Sequence, residues 1–148
     1  MAEFQNDEEK ISHYKKVILP LETLVQVVNV SSPDTKMAIT VNVKGLIISG
    51  FLVPLEEFYE HTTNMILENL RQHSDQETFN EMRNVMAKSK AIFTDSGEIV
   101  NKALVNSYVC IKGPKYHAAN PEENLQMPDE YWMGKIGSVD GFMIGMPY

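Results

Sequence analysis

Two hydrophobic periods alternate along the chain, and the plainest stretch of the shorter one is Met37–Val53. Met37, Ile39, Val41 and Val43 alternate with Ala38, Thr40, Asn42 and Lys44, so one face is apolar and the other mostly polar, as in a half-buried strand. Leu46 to Val53 is apolar almost throughout. Gly45 supplies the positive φ of a tight turn, and Pro54 ends the second run by withholding a ladder donor. The stretch predicts a β-hairpin about Lys44-Gly45.

On either side the period lengthens to about 3.6. Upstream, Ile11, Tyr14, Val17, Ile18, Leu21, Leu24, Val25 and Val28 recur at three- and four-residue steps. Pro20 interrupts them, which predicts a short helix to about Leu19 and a second from Pro20. The second should lay Leu21, Leu24, Val25 and Val28 on the apolar face of the hairpin, and Ser31–Asp34 reads as a loop. Downstream, Leu55, Phe58, Tyr59, Thr62, Met65, Ile66, Asn69 and Leu70 line one side of a helix. Its first turns hold Glu56, Glu57 and Glu60, where the helix dipole favours negative charge. Ser74-Asp75-Gln76-Glu77 has the spacing of a capping box and opens a shorter helix through Phe79, Met82, Val85 and Met86.

Thr94–Gly97 reads as a turn, and Ile99–Lys112 as a strand with Val105, Val109 and Ile111 opposite Asn106, Tyr108 and Cys110. Residues 113–129, with Pro114, Pro121 and Pro128, form a long connection, of the kind that is usually functional. Two final strands about Asp140-Gly141 make a second hairpin. The order implies a single α+β domain over 10–148: an antiparallel sheet of two hairpins plus a strand, packed with N-terminal and central helices. Residues 1–9 are a flexible acidic tip. The alternative is an Sm-like small barrel, with 55–89 as a helical insertion.

Composition narrows the function. At 148 residues with 43% hydrophobic and 22% charged content, the chain supports a core without staples. One cysteine, Cys110, excludes an intrachain disulfide framework and fits a reducing compartment. With no apolar run long enough for a membrane span and no signal peptide, the expected location is cytoplasmic. The net charge of −7 disfavours a phosphate-backbone partner, because the basic residues are scattered and only Lys15-Lys16 adjoin.

Candidate chemistry is sparse. His13, His61, His73 and His117 show no ligand spacing and read as solvent-exposed, and Cys110 as core. Glu56-Glu57 suits a helix start and Glu122-Glu123 a solvated loop. The glycines from Gly134 to Gly141 lack the ending of a phosphate loop, and Ser49 and Ser138 lack a nucleophile elbow. No catalytic residue, metal or cofactor is expected. Nine methionines are many, and several cluster with aromatics near the C-terminus. Either they fill a soft core or they grip a protein surface; the candidate interaction surface is Trp132, Met133, Phe142 and Tyr148.

Three stretches go beyond generic alternation: L-E-T-L-V-Q-V-V-N (Leu21–Asn29) leading to I-T-V-N-V-K-G-L-I-I-S-G (Ile39–Gly50) and Phe58-Tyr59-Glu60; L-V-N-S-Y-V (Leu104–Val109); and W-M-G-K-I-G-S-V-D-G-F-M-I-G (Trp132–Gly145). In their order and in the V-D-G-F ending the chain resembles the gas vesicle accessory protein U family of Gram-positive bacteria. Met133 stands where that pattern has arginine after the tryptophan, and Gly137 where it has serine. The first nineteen residues and the 113–129 connection lie outside the resemblance. It implies a non-enzymatic accessory factor acting on vesicle assembly or vesicle association through contacts with gas vesicle proteins or with further copies of itself as a homo-oligomer. The alternative carried by the Sm-like fold is a ring-forming nucleic-acid-binding or small-ligand-binding module.

Overall fold

In the computed structural model, which describes residues 6–31, 36–94 and 106–146, the N-terminal helix runs unbroken through Pro20. Helix α1 (Asp7–His13) passes into one π turn (Tyr14–Ile18) and then into α2 (Leu19–Val30). The Leu19 N–H reaches the Tyr14 carbonyl, five residues back. A regular turn would drive the proline ring into the carbonyl four residues earlier, and the widened turn relieves that clash. The expected break is therefore corrected to a bulge. The helix also begins inside the stretch expected to be a tip. Asn6 caps it by accepting the Glu9 N–H at 2.8 Å, and Asp7, Glu8 and Glu9 occupy its electropositive first turn.

The first hairpin forms as expected. Strand β1 (Met37–Val43) pairs with β2 (Leu46–Val53) from Met37–Leu52 to Val43–Leu46. Lys44 and Gly45 both take positive φ, 53° and 86°, which matches the turn to the twist of the strands. Helices α3 (Leu55–His73) and α4 (Gln76–Thr94) follow. The cap of α4 lies one residue beyond the expected serine, since Asp75 accepts the Thr78 N–H at 2.7 Å. Ser74 instead closes α3, its hydroxyl donating to the Leu70 carbonyl. Helix α4 also runs well past Met86.

Strand β3 (Tyr108–His117) extends five residues into the expected loop, whose remainder folds back as β4 (Leu125–Gln126). Of the strand expected over 99–112, residues 99–105 lie outside the described residues, as do Asp95, Ser96 and Gly97 of the expected turn. The second hairpin does not form. Strand β5 (Tyr131–Lys135) pairs with β3, whereas β6 (Gly141–Ile144) pairs with β1. Between them Ile136–Ser138 forms a 3-10 turn, and the Asp140 N–H donates to the Asn42 carbonyl at 2.8 Å. Asp140-Gly141 thus enters a strand beside β1 instead of turning back on β5.

All pairings in this six-stranded sheet are antiparallel, in the order β4-β3-β2-β1-β6 with β5 also on β3. Residues 136–140 alone link β5 to β6. In a flat sheet those edges would stand four spacings, about 19 Å, apart, and a 3-10 turn rises only about 2 Å per residue. The sheet therefore curls, yet it stays open, because β5 and β6 do not pair with each other. That is as near as the protein comes to the small-barrel alternative.

The curl encloses one core. Leu21, Val25 and Val28 of α2 meet Ile39, Val41, Ile48, Leu52, Val109 and Ile111 of the sheet, and Ile136 and Val139 stop the open end. Burying each such side chain contributes about 1.5–3 kcal/mol. Gly50 sits at a bulge where β2 bends; a Cβ there would lie 2.4 Å from Ile111 Cγ2 and 2.8 Å from the Lys112 carbonyl oxygen, so only glycine lets β3 close on β2.

Candidate functional site

The expected surface is divided by the sheet. Trp132 opposes Ile111 on β3 and Phe142 opposes Val41 on β1. Both point inward and pack half-buried against the core cluster, at its two edges. They are walls of the core, and no shared patch joins them in the ladder. Met133 points outward, opposite Cys110, and is 39% exposed. Tyr148 lies outside the described residues.

What β6 does expose is Met143, Ile144 and, just beyond the strand, Met146. Its position is fixed at both ends: the Lys44 N–H donates to Asp140 Oδ2 at 2.6 Å, the Thr40 hydroxyl to the Gly145 carbonyl at 2.9 Å, and the Gly145 N–H to the Ala38 carbonyl at 2.8 Å. One edge of β6 is spent on β1, and the other has no strand partner among the described residues. Gly141–Ile144 carries no charge and no proline, the devices that commonly guard a sheet edge. A groove of about 300 Å³ lies on the other side of β6, on the sheet face across β1, lined by Thr40, Asn42, Ile47, Phe142 and Met143.

A second concavity lies on the outward face of β2 and β3. Ser49 opposes Lys115 and Phe51 opposes Lys112, and the first turn of α3 and β4 with the loop after it supply walls. The cavity measures about 360 Å³. Phe51, Val53, Pro54, Pro128 and Met146 make it apolar, and Lys36, Lys112 and Lys115 make it cationic. Ser49, 1% exposed, places its Oγ 2.7 Å from His117 Nε2. Burial, aided by the Lys115 cation, pushes the His117 imidazole below its usual pKa and favours its neutral form. The pair looks like a nucleophile and a base, but the hydroxyl is enclosed in the sheet. Among the described residues no carboxylate bonds the imidazole to orient it, as a triad requires.

The third cluster is the seam between α3 and the sheet. Val53, Leu55 and Cys110 are buried together, with Phe58, Tyr108 and Tyr131 against them. The Tyr131 hydroxyl donates to Glu57 Oε2 at 2.9 Å. Burial, that hydrogen bond and the Glu57 charge push the Tyr131 phenol up to about 12. Burial first, and Glu57 second, push the Cys110 thiol up to about 12 as well, so it is the inert core cysteine expected. Glu57 does more than favour a helix dipole, and its partner lies 74 residues away.

The histidines depart from expectation. His61 stacks on Tyr131 with ring centroids 4.4 Å apart, and its Nε2 is enclosed. His117 is bonded to Ser49, and His13 is half-buried; only His73 is exposed. Spacing along the chain cannot reveal such contacts, because each partner comes from another element. Glu122 and Glu123 are exposed in a 3-10 turn. Among the described residues, no group of three His, Cys, Asp or Glu is placed to hold a metal ion. No helix there is long and apolar enough to cross a membrane.

A family model described as gas vesicle protein GvpU-like matches residues 19–147. The match takes in the 113–129 connection that the resemblance in the sequence left out. No curated protein and no solved structure matches the chain.

Proposed function

The chain belongs to the GvpU-like gas vesicle protein family, and from that premise we propose that it is a non-enzymatic accessory protein working in the cytoplasm on vesicle assembly or vesicle association. It acts by protein–protein contact, with a gas vesicle protein or a second copy of itself as the partner. One observation carries this reading: the open edge of β6, with Met143 and Ile144 half or more exposed and no charge to repel an incoming strand. Strand addition gives such an edge main-chain hydrogen bonds. Met133 on the outward face of β5 is a lesser contact, and Trp132 and Phe142 support the surface from below.

The test replaces the exposed pair. Met143→Lys with Ile144→Lys should keep the wild-type circular dichroism and lose both co-sedimentation with gas vesicles and self-association in sedimentation velocity. Retained association by the doubly charged edge would end this reading. Trp132→Lys or Phe142→Lys, in contrast, should unfold the protein, because each would set a charge against the core.

A further inference from the structure

The cavity on the outward face is built unlike the rest of the surface. Three of the chain's 13 lysines and arginines line it, in a protein of net charge −7. Lys36 Nζ stands 6.0 Å from the centre of the Phe51 ring and Lys112 Nζ 6.0 Å from that of Tyr131, so aromatic faces help to hold two of the cations in place. The ion pair found in the structure joins Arg71 and Glu68, and among the described residues no carboxylate is paired with any of the three lysines. Among the described residues the one acid on the lining is Glu57, which already accepts the Tyr131 hydroxyl. Between the lysines lies an apolar bed in which Phe51 is 39% exposed. Strand pairing fixes the sides, and the Gly113 N–H to Glu130 carbonyl (2.9 Å) and Met127 N–H to Pro114 carbonyl (3.0 Å) bonds fix the loop.

We propose that this cavity binds a small amphipathic carboxylate, with its anionic head among Lys36, Lys112 and Lys115 and its apolar body on Phe51, Val53, Pro54 and Met146. Three point charges facing one engaged carboxylate select an anion, and the apolar bed selects a ligand with a hydrocarbon or aromatic body. Ligand cavities span about 300 to 1,000 Å³. At about 360 Å³ this one takes a short ligand and excludes a whole lipid. The site shares Met146 with the surface beyond β6 but uses neither Met143 nor Ile144, and it does not depend on that edge's role.

The full-length chain is titrated with octanoate at low ionic strength and followed by calorimetry and by amide NMR shifts. Saturable binding at one site is expected, with the largest shifts at Phe51, Lys112, Gly113 and Gln126, weakening as salt is raised. Octanol, which lacks the charge, and inorganic phosphate, which lacks the apolar body, should each bind at least tenfold more weakly. Lys112→Gln with Lys115→Gln, both on the solvent side of the sheet, should leave the fold intact and weaken octanoate roughly tenfold, at about two- to fivefold per lysine. Equal affinity for octanol would remove the cations from the site, and equal affinity for phosphate would remove the apolar bed. Unchanged affinity in the double variant, shifts mapping elsewhere, or no octanoate binding would overturn the proposal.

Discussion

The sheet with α2 and the α3–α4 hairpin are written in the same alphabet of apolar periodicity, yet they end in opposite states. In the first, Leu21, Ile39, Val41, Ile48, Leu52, Val109, Ile111 and Val139 are shut from solvent. In the second, Leu55 and Phe79 are buried, while Met65 and Ile66 on α3 and Val85 on α4 stand exposed. Phe79 is itself flanked by Arg71 and Arg83, whose guanidinium carbons lie 5.2 and 5.8 Å from its ring centre, and Tyr59 bridges the helices by donating to the Met86 carbonyl at 3.1 Å. A hydrophobic stripe states that a face can be buried. Whether anything in the same chain covers it is decided by topology, and here the curled sheet spends its enclosed face on α2, the π turn before it and the Ile136–Val139 link.

The strongest challenge to this contrast is a truncation inside the enclosed core. Leu52→Ala should cost about 2–5 kcal/mol in urea unfolding, because its neighbours from two strands and α2 cannot all collapse into the space. A cost below about 1 kcal/mol would show that the core is loosely packed and the contrast unfounded.

A smaller effect should appear at the seam, on raising the pH. Cys110 and Tyr131 both have folded pKa values raised to about 12, from ordinary values near 9 and 10. For groups raised in this way the unfolded chain releases its proton first. Their contribution is complete below about pH 9 and is lost progressively between about pH 9 and 12. Melting temperature should fall across that window, and Cys110→Ala should flatten part of the slope. A thiol that reacts with a disulfide reagent at pH 8 as fast in the native protein as in urea would mean the seam stands open.

Within the helical hairpin the effects shrink further. Tyr59→Phe, which deletes the bond to Met86, should cost about 1 kcal/mol. Met65→Gln should change stability by less than about 0.5 kcal/mol, and a larger loss would reveal that this stripe is covered. Amide exchange sharpens the same point: β1, β2 and β3 should open only with global unfolding, and the middle of α3 well before it.

The identity of most elements could be read without coordinates, because each depends on neighbours in sequence. Period-two alternation and Lys44-Gly45 define the first hairpin; the change of period after Pro54 defines α3; and Leu21, Val25 and Val28 mark the face of α2 that is buried. Where local signals misled, a distant group outweighed them. Asp140-Gly141 has the composition of a hairpin turn, but Asp140 is engaged by Asn42 and Lys44, and the strands that flank it leave for opposite edges. Pro20 predicts a break, but a π turn absorbs it. Trp132 and Phe142 read from sequence as either soft core or interaction surface, and only their facing partners, Ile111 and Val41, turn them inward.

The candidate sites belong still more to the third dimension. Ser49 and His117 are 68 residues apart, and Glu57 and Tyr131 are 74 apart. Lys36 flanks β1 while Lys112 and Lys115 lie on β3, so the first is brought to the other two from more than 70 residues away. Sequence alone determined which residues prefer strand or helix and which faces avoid water, since those preferences act over a few bonds. Tertiary structure alone decided which charges share a cavity and which strand edge is left open, because both follow from the register and order of strands joined across the whole length of the chain.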